Sequence, residues 1–239
     1  MPTPRTVVLG YNFPHRKTVD ILTRLYLAGV KVTRVVAADP IPLNIPAATV
    51  RTRLRPVHLA HPRDVASRLG IPYTVSPHSG DEVLRLLQED APQLGIVGGA
   101  RILKRPVIDR FEIGIINLHP GLIPECRGLD ALLWSILNGI PPGVTAHLID
   151  ERVDAGRVLL KQEVPVHDDD TLIDLGERLY ETQLAVLPEA ITRAVAGEWE
   201  PVAATSPANR KMPPHLEREA AGRLGEYVAR FQGTSIKGS

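Results

Sequence analysis

The chain has 239 residues, of which 44% are hydrophobic, 23% charged and 4% aromatic, and its formal net charge is +1. The length suits one domain with a C-terminal appendage and a sizeable core, and the near-balanced charge argues against a general nucleic-acid binder. A single cysteine excludes an intramolecular disulfide framework, no apolar run reaches the roughly 18 residues of a membrane span, and "MPTPRTVVLG" lacks the apolar core of a secretion signal, so the expectation is a cytoplasmic protein with no membrane partner.

Residues 5–10, "RTVVLG", read as a short buried strand. The spacing over 16–29 predicts a helix that stops at a glycine, and 30–38 a second strand. Strand, helix, strand implies parallel pairing through a right-handed crossover. Residues 39–57 carry four prolines and three arginines and read as an irregular loop. A short helix over 61–70, a short strand at 71–76, a helix over 79–90 and a buried strand over 94–100 follow. "FEIGIINLHP" then brings a further strand to a turn at Pro120-Gly121. A helix over 128–139 places Leu129, Leu132, Leu133, Ile136 and Leu137 on one face. Residues 143–150 and 157–166 read as an antiparallel strand pair, and 170–198 as a long amphipathic helix capped by Asp170. A proline-bearing linker and a helix over about 214–232 close the chain. The order implies an α/β fold: an open, mostly parallel Rossmann-like sheet with helices on both faces and an antiparallel C-terminal edge. The expected division is a catalytic domain over 1–199 and a linker with a helical extension over 200–239.

In open sheets of this kind, ligands bind beyond the carboxyl ends of the strands. Asn117 and His119 stand at such an end. An asparagine is a donor that does not titrate and suits an oxygen gaining negative charge. A histidine beside it donates to the same oxygen or moves a proton near neutral pH. Asp154, in the tight "DERVDAG" connection, would orient the histidine or take a proton from an attacking group. The trio suits addition of a nucleophile to a carbonyl. The plainer alternative is that Asn and His at a strand end satisfy local backbone groups.

"INLHPGLIPECRG", followed by "NGIPPGVTAHLIDERVDAGRVL", resembles the two signature blocks of the formyltransferase superfamily. The likeness is close over about 94–166 and looser over 5–200. It implies the formyltransferase fold, with 10-formyltetrahydrofolate as formyl donor. Residue by residue, it implies that Asn117 and His119 hold the formyl oxygen and that Asp154 keeps the histidine charged and relays the proton of the attacking amine. It places the folate pterin against backbone at "ARIL" (Arg101, Ile102, Leu103) and "DERVD" (Asp150, Glu151, Val153). His147 matches a histidine of the same pattern and would support the site.

The departures narrow the acceptor. Gly121 stands where the family usually has Ser, and Cys126 where an aromatic is common. The turn after the first strand, "GYNFPHRK", lacks the phosphate-cradling glycines of the glycinamide ribonucleotide enzymes. About 40 residues follow Trp199 and do not read as the extra barrel of the methionyl-tRNA enzymes. The folate hydrolases of the family carry an additional N-terminal regulatory domain, whereas the first strand here starts at about residue 5.

The expected function is therefore 10-formyltetrahydrofolate-dependent N-formylation of a primary amine on a small molecule, an amino sugar (nucleotide-linked) or an amino acid. A formyl-folate hydrolase and a non-catalytic folate-binding protein are the rivals. No metal is called for: His58 and His61 lie three apart without a third ligand. Asn12, His15, Arg16 and Lys17, in the first strand-to-helix turn, suit either an anionic acceptor or capping and surface roles. Arg51, Arg53 and Arg55 would share one face if extended; a solvated edge is the simpler reading, phosphate the sharper one. Cys126 reads as packing. The long helix leaves a homodimer open, although ordinary core packing explains its apolar stripe.

Overall fold

Unbroken apolar runs make the central strands, because a strand covered by helices on both faces has no polar side to show. The computed structural model describes residues 4–42, 46–152, 154, 156–202 and 207–233. Its strands are β1 (Thr6–Tyr11), β2 (Val32–Ala38), β3 (Tyr73–Val75), β4 (Leu94–Val97), β5 (Gly114–His119), β6 (Gly143–Leu148), β7 (Arg157–Glu163) and β8 (Glu200–Pro201). They form one sheet in the order β3-β2-β1-β4-β5-β6-β7-β8. The first five are parallel, and β6, β7 and β8 run antiparallel to their neighbours. This is the expected sheet, with the reversal at β5 and β6.

The helices are α1 (Arg16–Leu27), α2 (Pro62–Arg68), α3 (Asp81–Asp90), α4 (Arg105–Ile108), α5 (Ala131–Asn138), α6 (Leu172–Ala196), α7 (Pro214–Gly222) and α8 (Leu224–Phe231). They cover both faces. Val8 of β1 and Ile116 of β5 pack with Leu22 and Leu25 of α1, Ile136 of α5 and Leu179 and Leu187 of α6. Val7, Leu9 and Ile115, one residue out of phase on the same strands, pack with Val83 and Leu87 of α3 and Val107 of α4. The alternation follows from the two-residue period of a strand.

Several expectations need correction. Asp170 does not cap α6. Thr171 does, accepting from the Asp174 amide while Asp174 receives the Thr171 amide, a capping box. Asp170 instead receives the His167 amide and pairs with Arg178 at 2.6 Å. Leu129 precedes α5 rather than joining its apolar face, and is 54% exposed. The final helix is two helices that meet at Arg223. Single-turn α4 and two-residue β8 were not expected, and β8 adds Glu200 and Pro201 to the sheet against β7.

Candidate active site

The β5 ladder builds the site. Asn117 lies opposite His147, and His119 opposite Thr145, in antiparallel register with β6. Asn117 and His119 are two apart, so they leave the strand on one face. The Asn117 Nδ2 is 3.2 Å from His147 Nε2 and 3.4 Å from Asp154 Oδ1. Asp154 Oδ2 lies 3.3 Å from His119 Nδ1, and Oδ1 lies 3.4 Å from His147 Nε2. The Gly128 amide donates to Asp154 Oδ2 at 2.9 Å. One carboxylate therefore gathers an amide, two imidazoles and a backbone N–H. Asp154 sits in the left-handed region, at φ 46, a conformation a non-glycine residue adopts at a cost.

Charge is distributed unevenly among these groups. Burial would raise the Asp154 carboxyl, but the His147 hydrogen bond, the two imidazoles and the Gly128 amide hold it at about 2. It is an anion throughout the physiological range. Burial pushes the His119 imidazole below its ordinary value, with Asp154 and the Cys126 carbonyl pulling the other way. Burial is the largest of these influences, and Asp154 is the first to oppose it. His119 Nε2 donates to the Cys126 carbonyl at 2.8 Å. Gly121 makes this geometry fit: a Cβ there would meet both Cys126 O and His119 Nε2 at 2.8 Å. The departure from the Ser of the resembled pattern thus has a steric correlate.

The trio faces a cavity of about 520 Å³, within the range of small-molecule sites. Its walls include Lys17, Arg53, Leu54, Leu129, Glu177 and Tyr180, besides Asn117, His119 and Asp154. Lys17 donates to the Leu118 carbonyl at 3.0 Å, between the two strand-end residues, and to Gln183 Oε1 at 3.2 Å. Burial, and then Arg53, lower its ammonium to about 8. His15 is the N-cap of α1, accepting from the Thr18 amide. Burial, Lys17 and Arg53 bring it down to about 4. Arg16 pairs with Glu177 at 2.6 Å. Asn12 does not line this cavity and instead donates to Asp39 at 2.6 Å.

Of the other predicted site residues, Asp150 and Glu151 line a separate cleft with Arg105, Asp109 and Arg157. Arg101, Ile102 and Leu103 follow β4; Ile102 is 70% exposed, whereas Leu103 is buried in the core. Val153 lies outside the described residues. Arg51, Arg53 and Arg55 are all exposed, Arg53 also lines this cavity, and the stretch from 49 to 56 is neither helix nor strand. His61 caps α2. Cys126 is buried, and burial pushes its thiol up, as packing requires. Sequence reasoning missed Lys17's contact with Leu118 and the Gly128 amide. For Gly128 the signal was its glycine, since φ is 89 and a Cβ would meet Asn209 O at 2.2 Å.

Among the described residues, no helix is long and apolar enough to cross a membrane. Residues 35–191 match the family model described as formyl transferase. The chain is 33% identical over 142 residues to the trifunctional purine biosynthetic protein adenosine-3 of Gallus gallus, covering 55% of this chain and 14% of that one. It is 35% identical over 118 residues to the methionyl-tRNA formyltransferase of Fusobacterium nucleatum, covering 49% of this chain and 37% of that one. It thus spans well under half the length of these relatives. A sugar N-formyltransferase from Shewanella sp. superimposes with a TM-score of 0.58 at 19% identity, over 91% of this chain and 87% of that one, a likeness of fold.

Proposed function

Because the chain belongs to the formyl transferase family, we propose that it carries a formyl group from 10-formyltetrahydrofolate, the donor of that family, to the primary amine of a small molecule. The observation that carries the reading is the convergence of Asn117, His119 and Asp154 on one wall of the main cavity. The acceptor is an amino sugar, nucleotide-linked, or an amino acid. One thing supports this choice: the first strand-to-helix turn, 10–17, lacks a glycine cradle.

Asn117 offers its Nδ2 hydrogens, and His119 its Nε2–H, to the formyl oxygen as that oxygen gains charge. The Asn117 donor, fixed at a strand end, needs little reorientation as charge develops. His119 would turn its Nε2–H from the Cys126 carbonyl toward that oxygen. Asp154, an anion next to both, accepts the proton that the amine loses as its nitrogen bonds to the formyl carbon. A proton returns to the folate nitrogen when its bond to that carbon breaks. Backbone at 101–103 and 150–153 would hold the pterin. Such a role suits exposed loop side chains such as Ile102 and Glu151, which leave recognition to main-chain groups. The catalytic unit in this reading is 1–199, with 200–239 as its extension. The substrate is a small molecule rather than nucleic acid, and the cytoplasm is the expected compartment.

The test is loss of 10-formyltetrahydrofolate, followed by absorbance, against a panel of amino sugars, nucleotide-linked amino sugars, amino acids and glycinamide ribonucleotide. Loss that depends on one amine establishes transfer and names the acceptor. Loss without an amine, with formate released, replaces the reading by a hydrolase. Folate binding without loss replaces it by a binding protein.

A further inference from the structure

The stretch from Thr49 to Leu54 forms neither helix nor strand, so no ladder of its own holds it, and its second half, Thr52, Arg53 and Leu54, lines the cavity. Two carboxylates hold it instead. At its start, Glu217 of α7 receives the Thr49 amide at 2.5 Å, the Thr49 hydroxyl at 2.6 Å and the Val50 amide at 3.2 Å. At its end, Glu177 of α6 receives the Leu54 amide at 3.2 Å. Between them the backbone lies on Gly176, where a Cβ would meet Thr52 O at 1.9 Å.

Glu217 is only 1% exposed, and a buried carboxylate must be paired to remain ionised. Its partner is Lys211, which also reaches Asp130 Oδ2 at 2.9 Å. Burial would raise the Glu217 carboxyl, yet the Lys211 and Thr49 bonds hold it at about 2. The same C-terminal strand of chain reaches the catalytic loop: the Asn209 amide donates to Arg127 O at 2.9 Å, and the Leu129 amide donates to Asn209 O at 3.0 Å. Those two bonds bracket Gly128, whose amide holds Asp154. Residues beyond the sheet thus grip both the catalytic loop and the segment that brings Arg53 over the cavity.

We infer that Glu217 is a positioning residue for the acceptor side of the site: through Thr49 and Val50, α7 holds the 49–54 segment over the cavity, and with it Arg53. The functional half rests on the formyl-transfer reading; the tether itself does not. A cation so placed, near Lys17 and His15, favours an acceptor that carries an anionic group beside its amine. The segments proposed to hold the pterin, 101–103 and 150–153, receive no bond from Glu217 among the described residues, so the donor is expected to feel the tether less than the acceptor does.

Two measurements test this. Trypsin cuts after Arg51 and Arg53 are followed by mass spectrometry in the full chain, in Glu217→Ala, in Glu217→Gln and in Thr49→Val. Thr49 is exposed, so its variant keeps the α7 core. Cleavage in the segment is expected to be at least about tenfold faster in Glu217→Ala, with smaller gains in Glu217→Gln and Thr49→Val. With the amine identified by the panel, Glu217→Ala raises its KM about tenfold or more, leaves the KM for 10-formyltetrahydrofolate within about twofold, and is partly rescued by Gln. Unchanged cleavage in both Glu217→Ala and Thr49→Val overturns the tether. Faster cleavage with equal rises in both KM values overturns the acceptor role. If no amine is turned over, the formyl-transfer reading falls and the cleavage result still decides the tether.

Discussion

Two regions face each other across the cavity and are held by different physics. The end of β5 is fixed by backbone ladders to β4 and β6, so Asn117 and His119 inherit the rigidity of the sheet. The 49–54 segment is fixed by side chains, Glu177 and Glu217, and by one missing Cβ at Gly176. A ladder spreads its stability over many bonds, whereas a tether concentrates it in a few. In the proposed reading the chemistry falls on the stiff wall, and the opposite wall is the one that a few substitutions can loosen.

The largest expected effects fall on the stiff wall. His119→Ala and Asp154→Asn each lower turnover by about 10²–10⁴-fold with the fold intact by circular dichroism, and Asn117→Ala by about 10²–10³-fold. Near-normal turnover in the first two would remove the trio from the mechanism. On the tethered wall, Gly176→Ala separates the two regions. An alanine inside a helix is ordinarily favoured over glycine by about 1 kcal/mol, but here its methyl drives into Thr52 O. The acceptor KM should rise several-fold while the KM for the donor is unchanged. A more stable variant with both KM values unchanged would show that the segment yields without consequence.

A pH series sharpens the contrast further. His15 is brought down to about 4, and His119 is also lowered, both by burial first. Below pH 6.5 the unfolded chain binds protons at these rings that the folded chain refuses, so stability falls as pH drops, for His15 down to about 4. Asp154 contributes in the same direction lower down. Its stabilisation is complete above the ordinary aspartate value and is lost as pH falls toward 2. Replacing His119 by Asn should flatten the fall in Tm from pH 7 to 5; an unchanged slope would mean that the ring does not titrate there. The smallest effect is a control remote from both walls. Thr171→Ala removes the α6 capping box and costs about 1 kcal/mol, read as a lower denaturation midpoint with KM values intact.

The same division explains what could be read from the sequence. "RTVVLG" and "FEIGIINLHP" announce buried strands because their apolar runs are bounded by glycine or proline, and the two signature blocks carry the trio. The tethered segment was illegible because its order comes from Glu177 and Glu217, 123 and 168 positions from their partners Leu54 and Thr49. Nothing local in a proline-rich run foretells that. Adjacent candidates defeated finer reading: Asp170 and Thr171 can both cap, and only the reciprocal partner at Asp174 separates them. The fall of His119 below its ordinary value depends on enclosure, which residue types do not encode.

The outer margin of the sheet has a consequence for how copies of the chain meet. Among the described residues, β8 covers β7 at Arg157 and Val158, leaving the rest of that strand as a border. Along it, Arg193 donates to the Leu159 carbonyl at 3.2 Å, and Lys161 and Glu163 present charge to solvent. The opposite border, β3, is three residues long. Short, charged and partly occupied borders discourage strand-to-strand joining between molecules. Self-association by sheet extension is thereby disfavoured at both borders.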